Sequence, residues 1–169
     1  SAVHYNPAGL TQLKGSYVSA GYAMEAPRFE VASDATGDTV QKQKQIFWLP
    51  HVYFVSDFKS KNLRFGFGAN SPYGLSTDWA DDSYARFLST ESNVNMANFN
   101  PAVAYKVNDK ISLGAGLDYF TARISKHRRV FTTYSSTNGD FQLKGDDDAF
   151  GYNLGLLIQP SEKQRIGLS

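Results

Sequence analysis

Three groups of residues have the types and spacing to do chemistry. Lys126-His127-Arg128-Arg129 is the densest basic run. An arginine fork suits phosphate or carboxylate oxygens, so three readings stand beside one another for Lys126, Arg128 and Arg129: lipopolysaccharide phosphates, a substrate carboxylate, or plain solvation. Asp146-Asp147-Asp148 offers hard oxygen ligands of the kind calcium takes, but lacks the glycine-punctuated spacing of a calcium loop, and a solvated loop is the preferred reading. His4, His51 and His127 lie far apart with no ligand spacing among them, and neither G-x-S-x-G nor H-E-x-x-H occurs. Cysteine is absent, which removes thiolate metal sites, disulfides and a cysteine nucleophile. The expectation is therefore no enzyme, no cofactor and no metal. Gly66-Phe-Gly68 and Gly114-Ala-Gly116 carry no third glycine and no following helix, so a nucleotide loop is not expected.

The elements that would position these residues are strands. Period-two alternation puts Val18, Ala20, Tyr22 and Met24 on one face of Tyr17–Ala26. The same scheme recurs with Leu63, Phe65 and Phe67, with Ile111, Leu113 and Leu117, and with Phe150, Tyr152 and Leu154. The opposing face is small and polar, mostly Gly, Ser and Asn. On that face the alternating glycines read as a smooth wall that another segment or an apolar chain can approach closely. Ile46–Val55 is apolar on both faces. In Glu91–Lys106 the apolar face switches between Met96 and Phe99, as a bulge would produce. That makes about six strands of membrane-crossing length.

Short polar connections at 57–62, 107–110 and 160–164 alternate with long ones at 27–45, 71–90 and 124–149. All short turns thus fall at one end of the sheet and all long loops at the other, as in an outer-membrane barrel. Charges sit in the connections, and Tyr17, Trp48, Tyr105, Tyr119 and Phe150 near strand ends are placed as aromatic girdles. The expected fold is all-β, an antiparallel transmembrane β-barrel fragment. The chain has 169 residues, Lys+Arg 17 against Asp+Glu 16 and a mean hydropathy of -0.39. Near-zero net charge gives no reason to expect nucleic acid. Since a barrel needs only every second strand residue to be apolar, the hydropathy is no objection. About six strands cannot close a barrel, so the length is read as an excerpt, from inside a plug to inside a seventh strand.

Two irregular segments add information. Tyr5-Asn6-Pro7-Ala8-Gly9-Leu10 reads as a turn ahead of the first strand. Near Ser71-Pro72-Tyr73-Gly74 the strand pattern breaks, because proline cannot donate to a ladder and glycine permits a bend. With Trp48-Leu-Pro-His-Val-Tyr-Phe-Val55, Ala104-Tyr-Lys-Val, Ser112-Leu-Gly-Ala-Gly-Leu and Gly151-Tyr-Asn-Leu-Gly following in order, these segments resemble the outer-membrane long-chain fatty-acid and hydrocarbon transporter family of the FadL type. The resemblance implies a barrel of about fourteen strands, plugged by an N-terminal hatch whose end would be residues 1–14, with residues 15–169 forming the first six strands and the start of the seventh. It further implies passive diffusion of a hydrophobic molecule that binds at outer loops, passes to a pocket and leaves through the wall. Asn6, Pro7 and Ala8 would be the hatch motif. Ser71, Pro72, Tyr73 and Gly74 would mark a kink at a lateral opening near that motif.

Trp79, Phe87, Leu88 and Phe131 are expected on the surface where substrate first lands. The implied partners are a long-chain fatty acid or other hydrophobic small molecule, outer-membrane lipid and lipopolysaccharide, with a monomeric barrel for the full-length protein. The rivals are a general porin, which would need a charged constriction, an outer-membrane lipid-binding or lipid-hydrolysing barrel, which rests on fold analogy alone, and a soluble binding module.

Overall fold

A computed structural model describes residues 2–34, 36–80, 82–132 and 138–169, with the side chain of Tyr84 left aside. The wall is one antiparallel sheet in chain order. Its members are β1 (Tyr17–Glu25), β4 (Phe47–Ser56), β5 (Leu63–Asn70), β6 (Gly74–Asp78), β7 (Glu91–Lys106), β8 (Ile111–Val130), β9 (Gly139–Ser161) and β10 (Gln164–Leu168). A separate small hairpin, β2 (Glu30–Ala32) with β3 (Thr39–Gln41), stands in the connection between β1 and β4. β5 and β6 both pair with β7 and form successive parts of one wall strand. The sheet curls as half a barrel, with six wall strands and the short β10 beside β9.

Alternation fixes the two faces. Partners in register share a face, so Val18–Phe54, Phe67–Pro101, Phe99–Tyr119 and Leu117–Tyr152 all point outward. Phe150 is 81% and Tyr152 78% exposed on that side. In water such an apolar belt would be an aggregation hazard, whereas lipid solvates it. Aromatic pairs punctuate it, with Tyr22 and Trp48 ring centroids 4.8 Å apart and Tyr119 and Phe150 5.0 Å apart. Tyr17 is not in this belt. It pairs with Val55 and faces inward beside the N-terminal turns, because its parity is opposite to that of Val18.

The core lies inside the curl. Residues Ala2–Tyr5 form a helical turn and Pro7–Gln12 a 3₁₀ turn, where the sequence suggested only a turn. Val3 and Leu10 are buried against Val55, Ala102 and Ala104 of the wall.

Three expectations need correction. The register between β7 and β8 runs without a shift from Glu91–His127 to Lys106–Ser112, so β7 has no bulge. Its apolar residues change sides because Val94 and Met96 face the interior while Phe99, Val103 and Tyr105 face out. The connection 124–149 is mostly strand, since β8 and β9 pair in one register from Ile111–Ile158 to Val130–Gly139. Residues 133–137 at its tip lie outside those described. Beyond the membrane both faces of a hairpin meet water, so the ladder continues while the apolar alternation that reveals strands in sequence fades. The connection 71–90, in turn, contains β6 and a 3₁₀ turn at Tyr84–Phe87.

Candidate functional site

The N-terminal segment 2–13 is seated on a floor of missing side chains. A Cβ on Gly114 would lie 2.5 Å from the Pro7 carbonyl carbon and 2.9 Å from the Ala8 Cα. One on Gly155 would lie 3.0 Å from the Ala8 nitrogen and the Pro7 Cδ, with the Asn6 Oδ1 nearer still. Real Cβ atoms do not approach backbone so closely, so Gly114 and Gly155 let the motif lie flat on β8 and β9. Asn6 then locks the seat. Its Oδ1 accepts from the Ala8 N–H at 3.0 Å, and its Nδ2 donates to the Leu156 carbonyl at 3.2 Å and the Leu168 carbonyl at 3.0 Å. Thr11 donates to Ser112 at 2.9 Å, and the Arg64 Nε donates to the Leu13 carbonyl at 2.8 Å. One asparagine thus binds the N-terminal segment to two strands, a role no sequence spacing reveals.

The second irregularity lies on another part of the wall. Between the pairs Asn70–Asn98 and Gly74–Asn95 the β5–β6 chain advances four positions while β7 advances three. The extra residue is a bulge at Ser71-Pro72-Tyr73. On the β7 side the ladder is patched, for the Ser71 Oγ donates to the Met96 carbonyl at 2.7 Å and the Met96 N–H donates to the Tyr73 carbonyl at 3.1 Å. On the β4 side it ends. His51–Asn70 is the last register pair there, followed by a single bond from the Ser71 N–H to the Pro50 carbonyl at 3.2 Å. β6 pairs with β7 and not with β4. Contact resumes where the Gln43 N–H donates to the Asp78 carbonyl at 2.9 Å. Between those two bonds Leu49 reaches across, and a Cβ on Gly74 would lie 2.9 Å from its Cδ2.

Cavities adjoin this break on both sides of the wall. One of about 350 Å³ separates the N-terminal residues Val3 and Leu10 from Tyr17, His51 and Tyr53. Another of about 250 Å³ is lined by Pro50, His51, Asn70, Ser71 and Phe99. His51 belongs to both. Its ring is accommodated because Gly21 faces it, where a Cβ would lie 2.9 Å from the Nε2. Asn6 binds β9 and β10, on the far side of β7 and β8, while Ala2, Val3, Leu10 and Leu13 on either side of the motif line the His51 cavity.

A polar network missed by the sequence reading lies on the inner face between these sites. Asn98 and Asn100 are buried, and both Nδ2 groups donate to the Asp118 Oδ1, at 2.9 and 2.8 Å. The Asn153 Nδ2 donates to the Asp118 Oδ2 at 2.9 Å. The only signal in the sequence is parity, since all four fall on the glycine-bearing face.

The remaining candidates divide. Strict alternation through the β8–β9 hairpin puts Lys126 and Arg128 on the face continuing the interior and His127 and Arg129 on the other. Arg129 is paired with Asp140 at 2.8 Å, and the Arg128 guanidinium lies 5.0 Å from the centre of the Phe141 ring. The basic run is therefore two half-patches. Asp146 and Asp148 likewise oppose Asp147 across β9. Of the apolar candidates, Trp79 is buried at 8% exposure and Phe87 is half-buried under Arg86, whereas Leu88 and Phe131 stand exposed at 69% and 71%.

Comparison with known proteins follows the same lines. The family described as outer membrane protein transport protein (OMPP1/FadL/TodX) matches residues 1–169. A long-chain fatty acid transport protein of Escherichia coli O6:H1 is 30% identical over 99% of this chain and 43% of its own length. Outer membrane protein P1 of Haemophilus influenzae is 25% identical over 100% of this chain and 47% of its own. The chain thus spans less than half of either relative. Among solved structures, a Pseudomonas aeruginosa FadL homologue superposes with a TM-score of 0.79 at 17% identity, over 98% of this chain and 45% of that one. The Ralstonia pickettii toluene transporter TbuX does so at 0.77 and 20%, over 98% and 50%. At these identities the likeness speaks for the fold.

Proposed function

Because this chain belongs to the outer membrane protein transport protein family (OMPP1/FadL/TodX), an outer-membrane β-barrel family, we propose that it is the hatch-bearing half of a channel admitting long-chain fatty acids or related hydrophobic molecules by passive diffusion. One observation carries the proposal. The wall ladder is bridged across the bulge toward β7 and interrupted toward β4, and His51 at the interruption lines cavities on both sides.

Unpaired strand edges facing lipid are costly, since hydrocarbon supplies no hydrogen-bond partners. Such an edge is tolerable where a cavity or passing substrate fills it. Burying an acyl chain gains about 0.8 kcal/mol per CH₂, which draws substrate from the outer loops toward the inner cavity without a chemical step. Leu88 and Phe131 are the exposed apolar residues proposed to receive it, with Trp79 and Phe87 behind the surface. Lys126 and Arg128 face inward and are proposed to contact a head group, whereas Arg129, bound to Asp140, is better placed toward lipopolysaccharide. Departure is then sideways at Ser71–Gly74. This route spares an apolar molecule the aqueous channel that a general porin would offer.

The test replaces Ser71 by Trp and, separately, Gly74 by Leu in the full-length protein. Oleate uptake should fall at least about tenfold, the equivalent of about 1.4 kcal/mol, while oleate binding to purified protein persists. Uptake at the parental rate in both variants would refute lateral departure.

A further inference from the structure

The connection carrying the β2–β3 hairpin holds a group that the hatch and bulge do not use. Lys42 is only 7% exposed, and its Nζ is buried with no hydrogen-bond partner. It lies 5.0 Å from the centre of the Phe47 ring and 5.6 Å from that of Phe29. An ammonium has three donors, and ring faces attract the charge without offering a lone pair. Two rings therefore offset part of the desolvation and leave the hydrogen-bonding capacity unfilled. Burial lowers the Lys42 pKa, and the charge of Asp78 opposes that shift.

The surroundings favour an incoming anion. Lys42 lines a cavity of about 330 Å³ with Arg28, Phe29, Glu30, Gln41 and Lys44. The Glu30 Oε2 already accepts from the Gln41 Nε2 at 3.0 Å, and the Asp78 Oδ2 accepts from the Gln45 Nε2 at 3.4 Å. Position matters as much as charge. Lys42 is held by its N–H to the Phe29 carbonyl at 2.9 Å, and the next residue, Gln43, makes the bond to Asp78 that closes the outer end of the wall break. The cation thus stands one residue from the bond that ends the wall break, where Leu49 reaches over Gly74. Phe29, 44% exposed, is the more exposed of the two rings and faces the cavity.

We infer that Lys42, flanked by Arg28 and Lys44, binds the carboxylate of an amphipathic long-chain substrate at the outer end of the β4–β6 break. The assignment rests on the long-chain transport reading and narrows it, because an aromatic hydrocarbon has no anion to place there. A charge-assisted hydrogen bond in a shielded site is strong enough to be read in affinity.

The experiment measures oleate and oleyl alcohol binding to the purified full-length protein and to Lys42→Met, which keeps the length of the stem. Oleate affinity should drop at least about tenfold in the variant while oleyl alcohol affinity stays constant. Equal losses for both ligands, or none for either, would overturn the assignment. A second measurement needs no variant: oleate should displace bound oleyl alcohol from the parental protein far better than methyl oleate does. Equal displacement overturns the carboxylate site, and so does a single-chain phosphate monoester that outcompetes oleate. If the parental protein binds neither oleate nor oleyl alcohol, the long-chain reading itself fails and this assignment with it.

Discussion

His51 and Asn70 form the last pair of the ladder between β4 and β5, and one position beyond them the wall loses its continuity on that side alone. The cause is the single surplus residue of the β5–β6 chain relative to β7. Proline within that bulge has no N–H to lend to a ladder.

Deletion of Pro72 should therefore repair the wall. With the surplus residue gone, β5 and β6 can run as one regular strand and pair with β4 past His51. The deleted protein is expected to insert in the outer membrane, resist unfolding better than the parent, and lose oleate uptake by about tenfold or more. Heat modifiability on gels and uptake in whole cells read the two effects. Undiminished uptake by a properly inserted protein would disconnect the bulge from transport.

The hatch seat makes a separate demand. Gly114→Val places branched carbons where the Pro7–Ala8 backbone now lies, and overpacking of this sort costs about 1–3 kcal/mol. The wall is held by its own ladders, so the hatch should yield first. Expected are an assembled barrel, higher single-channel conductance and greater sensitivity of cells to large polar antibiotics. Gly145, where an added Cβ meets nothing, serves as the control: Gly145→Val should leave conductance unchanged.

Strand content, outward alternation and the two irregular segments were legible because each has a sequence signature: period two, or a proline–glycine break. The hairpin of β8 and β9 was not, since Arg128 and Asp140 have no apolar face to alternate with in water. Register was also invisible. The sequence could mark Asn6 as special but could not say that its amide reaches Leu156 and Leu168, because contacts across more than a hundred residues depend on how strands are staggered. For the same reason, the Asp118 network and the shielded Lys42 emerge only when strands and loops are placed side by side.

Asn6→Ala removes both carbonyl tethers and the cap of the following turn. Three hydrogen bonds at about 0.5–1.5 kcal/mol each hold a segment that Val3 and Leu10 still anchor by burial. Local loosening is expected rather than loss of the barrel. Amide exchange of residues 6–12 should accelerate while β7–β9 remain protected. Unchanged exchange would show that packing alone holds the hatch.

Asp118 gathers three amide donors from two neighbouring strands. Asp118→Ala would strand those donors on the inner face at a cost of about 3 kcal/mol, read as a lower urea midpoint in detergent micelles. Asn98→Ala removes one donor and leaves the carboxylate with two, so a smaller loss is expected. In the double variant the losses should not add, since each acts through the same carboxylate. Additive losses would mean the network is not a unit.

At the short-turn end, Asp57 sets a pH dependence. The backbone N–H of Lys59 at 3.0 Å and that of Gly15 at 2.8 Å bind its carboxylate and hold its pKa below the ordinary 3.8. A folded-state pKa that is depressed stabilises the fold fully above the unfolded value and loses that contribution as pH falls through the folded one. The junction of hatch and β1 should thus be unaffected at neutral pH and loosen only below about pH 3.8. Exchange of the Gly15 amide, measured downward from pH 5 and corrected for its intrinsic rate, should rise in the parent over that range. In Asp57→Asn it should be fast throughout, because the neutral side chain lacks the charge that strengthens both bonds. A parent whose Gly15 protection is flat from pH 5 to pH 2 would show that the hatch junction does not depend on this carboxylate.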